Sequence, residues 1–212
     1  MLSQFRSNYQ QIMAPIGRIS VRLGLTPNFW TFFSVLLSIA TAYVLAQRLW
    51  VPGLVMAFLV MLLDAFDGAT ARAGGTTSNF GSVLDHSMDR YAEFFLLLGI
   101  LLSGHVPAWL VYTAIFGMVM ASYVRAKAES VGGLTSGAVG LAGRVEKMIL
   151  LWAGLGLEGL FGVDGAIFWG IFLIALISHL TFFQRLYYAH SQISLPEQPV
   201  LNKPKPGTVS RR

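Results

Sequence analysis

The chain has 212 residues, no cysteine, 55% hydrophobic residues and only 12% charged ones, with a mean hydropathy of +0.62. That charged share is about half the soluble average. It excludes a disulfide-stapled secreted domain, a disordered chain and an ordinary cytosolic enzyme, and leaves an integral membrane protein built as one bundle.

Residues 1–22 repeat apolar side chains at helical spacing (Leu2, Phe5, Tyr9, Ile12, Met13, Ile16, Ile19) and hold three arginines. This pattern predicts an amphipathic helix lying along the membrane interface. It lacks the apolar core and small-residue cleavage site of a signal peptide. Thr26-Pro27 reads as a helix start, with threonine as cap and proline in the first turn. Charge-free stretches follow at 23–47, 49–63, 94–124 and 165–184. A helical span takes ~20 mostly apolar residues. Residues 94–124 are too long for one span and are broken by Ser103-Gly104-His105-Val106-Pro107. The spans expected are therefore 28–47, 52–72, 81–103, 107–125, 146–163 and 166–187, the fifth interrupted near Glu158. The expected fold is an all-α membrane protein of six transmembrane helices with an N-terminal interfacial helix. Residues 1–190 form the membrane domain, and the polar, Pro-rich stretch 191–212 reads as a mobile tail.

Six spans put both termini on one side. If that side is cytoplasmic, fourteen Lys and Arg residues lie inside and only Arg48 outside. The positive-inside rule then sets the orientation, and the net charge of +5 reads as topology. Cations spread over several loops without an aromatic platform do not make a nucleic-acid surface.

Four of the ten acidic residues fall in one window at the second and third spans: Asp64, Asp67, Asp85 and Asp89. Asp64 and Asp67 are i,i+3 and share one helix face; Asp85 and Asp89 are i,i+4 and share another. Packing the two helices as an antiparallel pair would gather all four near the cytoplasmic end. An aspartate costs ~2.5–3.5 kcal/mol in the bilayer centre even on the lenient insertion scale. A divalent cation relieves both that cost and the mutual repulsion. Oxygen-only ligands point to Mg²⁺ or Mn²⁺. Gly68, Ala71 and Gly81 leave room beside the same faces. The plainer alternative is four solvated charges, paired with Arg72 and Arg90. A cation or proton transporter is the alternative of a different class, but its carboxylates would be distributed through the membrane depth.

The window resembles the signature of the CDP-alcohol phosphatidyltransferases, D-x2-D-G-x2-A-R-x8-G-x3-D-x3-D. All eight fixed positions are present: Asp64, Asp67, Gly68, Ala71, Arg72, Gly81, Asp85 and Asp89. The resemblance extends over about residues 5–190. It implies a phospholipid-synthesis enzyme in which an alcohol attacks the lipid-side phosphorus of a CDP-linked lipid and CMP leaves. It implies two metal ions held by Asp64, Asp67 and Asp85, with Asp89 as general base also touching the second ion. Gly68, Arg72, Ser78 and Gly81 correspond to the CDP-lipid pocket. Asn28 and Thr31 resemble a segment that reaches the nucleotide, and equally a helix N-terminus. Members of the family are commonly homodimers.

A second cationic group suggests the acceptor. Arg125 ends the fourth span, and Arg144 and Lys147 are i,i+3 at the start of the fifth. Such a group suits an acceptor that carries a phosphate, although the positive-inside rule alone also places cations there. Tyr123-x-x-Ala126-x-Ala128-Glu129 and Arg144-x-Glu146-Lys147 resemble the inositol-phosphate branch of the family. That branch makes phosphatidylinositol phosphate from CDP-diacylglycerol or archaetidylinositol phosphate from CDP-archaeol. Lys147 stands where arginine is expected in the bacterial members, and His179 to Arg185 resembles archaeal ones. Glycerol-3-phosphate is the next acceptor, giving phosphatidylglycerophosphate, and serine the third.

Overall fold

In a computed structural model of the chain, the described residues are 2–134 and 139–193, with side chains described from Ile12 onward. They form seven helices: α1 (Leu2–Arg22), α2 (Pro27–Ala46), α3 (Trp50–Gly74), α4 (Asn79–Leu102), α5 (Ala108–Ser130), α6 (Arg144–Phe161) and α7 (Ala166–Ile193). Residues 191–193, expected as the start of the tail, continue α7, and the rest of the tail lies outside the described residues.

The helix boundaries follow the local chemistry. Thr26 caps α2, its Oγ1 accepting from the Phe29 amide at 3.3 Å, and Pro27 occupies the first turn. Ser78 caps α4 in the same way, accepting from the Gly81 amide at 2.9 Å. The glycine-proline break ends α4 at Leu102 and starts α5 at Ala108.

Four helices, α2, α3, α5 and α7, are long and apolar enough to cross a membrane. That is fewer than the six expected. The other two each carry a cluster of charges toward their N-terminal ends. α4 holds Asp85, Asp89, Arg90 and Glu93, and α6 holds Arg144, Glu146 and Lys147. Their apolar stretches are shortened by those residues.

α3 and α4 do not pack along one another as a pair, contrary to expectation. α2 packs along both, and α3 and α4 touch only slightly. Small residues set this arrangement. A Cβ placed on Gly99 of α4 would lie 2.6 Å from the Ala42 carbonyl oxygen of α2. No alanine or larger side chain fits such a backbone approach. In lipid, close packing of this kind replaces the hydrophobic drive between helices. α1 lies on the site end of α3, where Gly17 meets the Ala69 carbonyl as closely. α7 packs along both α5 and α6, and α6 also leans on α3.

The apolar core, with Leu45, Ile100, Val111, Leu155, Ile171 and Ile174 fully buried, fills the bundle away from the aspartates. The far end is closed by polar contacts. Glu158, the charge that interrupts the fifth span, pairs with His105 and accepts from the Ile167 amide at 2.9 Å. Arg48 Nε donates to the Ser103 carbonyl at 3.0 Å. The opposite half of the bundle buries Thr31, Asp67, Asp89, Glu93 and Lys147. The buried aspartates, with Glu93 and Lys147, are therefore gathered at the site end.

Candidate active site

The two pairs of aspartates face each other across the site end of α3 and α4. One carboxylate oxygen from each of Asp64, Asp67 and Asp85 lies within 4.8 Å of the others. Thr31 Oγ1, on α2, donates to Asp67 Oδ2 at 2.8 Å, and both residues are buried. The hydroxyl expected at the nucleotide or at a helix start is thus engaged with the carboxylate cluster. Three anionic oxygens so close, with no sulfur or imidazole among them, suit a hard divalent cation such as Mg²⁺ or Mn²⁺.

The described residues do not pair the aspartates with Arg72 or Arg90. The guanidinium that meets them is Arg144, from the first turn of α6. Its Nη1 lies 2.6 Å from Asp64 Oδ2 and 2.7 Å from Asp89 Oδ1, and its Nε lies 3.2 Å from Glu93 Oε1. Arg90 pairs with Glu93 at 2.8 Å and donates to Ser122 Oγ at 3.0 Å.

Two cavities flank the cluster. The first, about 450 Å³, is walled by α2, α3, the loop after α3 and the start of α4. All six residues expected at the CDP-lipid line it: Asn28, Thr31, Gly68, Arg72, Ser78 and Gly81. Asp67 and Asp85 form its inner edge. The two motif glycines have steric reasons. A Cβ on Gly68 would lie 3.1 Å from Arg72 Nη1, and one on Gly81 would lie 3.0 Å from Ser78 Oγ. Larger residues would crowd the arginine and the cap. Ser78 has a double position, as helix cap and as cavity wall.

The second cavity, about 720 Å³, lies on the other side of α4, between it, α5, α6 and α7. Arg125, Arg144 and Lys147 all line it. Arg125 also pairs with Glu129 at 3.0 Å, while Lys147 is buried. Asp89 belongs to this cavity, and Ser82 lines both.

Several residues here were not anticipated in this place. Arg185 of α7 lines the second cavity and is held by carbonyls, donating to Val139 O at 2.8 Å and Ala121 O at 2.6 Å. His86 also lines it. Glu93 was missed altogether. Its signal was visible as an i+4 continuation of the Asp85–Asp89 face.

A transmembrane bundle with a carboxylate cluster between an arginine-edged cavity and a multiply cationic one defines a class, and comparison agrees. The chain belongs to the CDP-alcohol phosphatidyltransferase family, whose pattern matches residues 24–182. Among its relatives, the archaetidylinositol phosphate synthase of Pyrococcus horikoshii is 35% identical over 92% of this chain and 100% of its own. The phosphatidylinositol phosphate synthase of Mycobacteroides abscessus is 31% identical over 86% of this chain and 85% of its own. The fold is similar to the crystal structure of Mycobacterium tuberculosis phosphatidylinositol phosphate synthase with CDP-DAG bound. There the TM-score is 0.77 and the identity 29%, covering 85% of this chain and 94% of that one. The same enzyme in complex with manganese and citrate gives a TM-score of 0.75 at 28% identity, covering 84% and 88%.

Proposed function

We propose that this protein transfers a phosphatidyl or archaetidyl group from a CDP-linked lipid to inositol phosphate, releasing CMP. The observation that carries this reading is the pair of cavities meeting at the aspartates. One offers Arg72 beside Asp67 and Asp85, and the other gathers Arg125, Arg144, Lys147 and Arg185 around Asp89. A pyrophosphate needs the first, and a phosphorylated acceptor needs the second. The inositol phosphate synthases among the relatives support the choice of acceptor.

Asp64, Asp67 and Asp85 would hold the divalent cations, two in number, with Asp89 reaching the second. Bound there, such ions neutralise the pyrophosphate and the leaving CMP oxygen. Phosphoryl transfer depends mainly on positioning and charge neutralisation, and the chain supplies both. Arg72 presents a planar fork of donors to the pyrophosphate. Thr31 orients Asp67. Asp89, which lines the acceptor cavity, accepts the proton of the attacking hydroxyl. The new bond forms between that oxygen and the lipid-side phosphorus as the bond to CMP breaks. Arg144, Arg125 and Lys147 hold the acceptor phosphate.

We read α2 to α7 as six spans with the site and both termini cytoplasmic, supported by the Lys and Arg distribution, and α1 as lying in the inner interface. The homodimer rests on the family resemblance. The decisive assay is CMP release in detergent with CDP-lipid and Mg²⁺ or Mn²⁺, comparing inositol phosphate, glycerol-3-phosphate, inositol and serine. Release that requires inositol phosphate supports the reading. Release with glycerol-3-phosphate alone keeps the chemistry and overturns the acceptor. No release from folded protein returns the transporter as an explanation.

A further inference from the structure

We infer that Glu93 is a positioning residue for the acceptor cavity, setting Arg144 and Arg90 at its base. This rests on the acceptor reading above. Glu93 is 3% exposed, and its Oε1 contacts Arg90 Nη2 at 2.8 Å and Arg144 Nε at 3.2 Å. Neither Glu93 Oε1 nor Arg144 Nε has a hydrogen-bond partner among the described residues, so the hold is an ion pairing, and a buried carboxylate left without its cations is costly. Arg144 comes from α6 and Arg90 from α4, and Arg90 continues to Ser122 on α5. One carboxylate thus ties together three of the helices that wall the cavity.

Arg144 faces carboxylates on two sides. Its Nε faces Glu93 and its Nη1 faces Asp64 and Asp89. Arg144 itself lines the cavity, so its charge is presented to an anion bound there. Without Glu93, the guanidinium loses the anion on its Nε side and is held by Asp64 and Asp89 alone. Arg90 and Arg144 would also repel one another with no anion between them. Glu93 therefore acts through the arginines and does not need to touch the acceptor.

The test measures both KM values, kcat and the thermal midpoint for Glu93→Gln and Glu93→Asp in detergent. Glu93→Gln is expected to raise the KM for inositol phosphate roughly tenfold, one charge-assisted contact's equivalent. The KM for CDP-lipid should stay within about twofold, inside the variation of a neutral change. Glu93→Asp keeps the charge and withdraws it by one methylene, so a smaller rise in the same KM is expected. Should the glutamine variant fail to fold, the aspartate variant carries the same selective expectation. Combined with Arg144→Lys, the effect on acceptor KM should be less than additive, because both act on one guanidinium. A lowered midpoint with both KM values unchanged, equal rises in both, or full additivity overturns the inference. Wild-type protein that ignores inositol phosphate overturns the acceptor reading instead.

Discussion

Arg144 Nη1 lies 2.6 Å from Asp64 Oδ2, although eighty residues separate them in the chain. The contact joins the first turn of α6 to the aspartate face of α3. It places the cation proposed for the acceptor directly against the carboxylates proposed for the metals. Acceptor binding and metal-centred chemistry are therefore neighbours through one side chain.

Replacing Arg144 by alanine should raise the KM for inositol phosphate tenfold or more, roughly the loss of a charge-assisted contact. It should also lower kcat, because Asp64 and Asp89 lose their shared partner. The KM for CDP-lipid should change much less. Steady-state kinetics with each substrate varied in turn checks this. Proportional rises in both KM values would sink the acceptor role.

Thr31→Val removes a hydroxyl and keeps the shape. Asp67 then loses the donor at 2.8 Å that orients it. Loss of a partner behind a metal ligand typically costs ~10–100-fold in metal affinity or activity. Mn²⁺ titration of the folded variant should show a weakening of that order. An unchanged affinity would mean that Thr31 serves the nucleotide or only the start of α2.

Asp64→Asn, Asp67→Asn and Asp85→Asn should each abolish metal-dependent CMP release. Asp89→Asn should retain CDP-lipid binding and lose turnover, since it lines the acceptor cavity while Asp67 and Asp85 line the other. Equilibrium binding of CDP-lipid beside CMP release separates the cases. Near-normal turnover in any of the first three would remove that residue from the metal set. Loss of CDP-lipid binding in Asp89→Asn would make it chiefly a ligand.

Gly99→Val tests the architecture apart from the chemistry. Its Cβ would meet the Ala42 carbonyl oxygen at 2.6 Å, so α2 and α4 must separate. Overpacking of this kind typically costs ~1–3 kcal/mol. A lower thermal midpoint in detergent is the expected result. Wild-type stability would show that the α2–α4 approach is looser than the packing described.

The sequence by itself determined the class of the molecule, its helices and its aspartate cluster. Composition, charge-free stretches and the glycine-proline break are local quantities, and they carried over to the starts of α2 to α7, while α5 and α7 run five or six residues past the expected ends. The aspartate spacing is equally local, because i,i+3 and i,i+4 positions share a face on any helix. That is why Asp64, Asp67 and Asp85 were legible as a cluster with Gly68 and Gly81 beside it, whereas Arg72 at its rim came from the family resemblance. Tertiary structure decided the partners. No periodicity told that Arg144 would reach Asp64, that Thr31 would bond Asp67, or that Glu93 would sit beneath two arginines. Nor did adjacency in the chain tell that α2 would come between α3 and α4. Those relations depend on how closely the backbones approach, which small residues such as Gly99 and Gly17 permit only in one arrangement. They also depend on burial. A charge taken out of solvent must find its opposite, and the opposite is supplied by whichever helix the packing brings near.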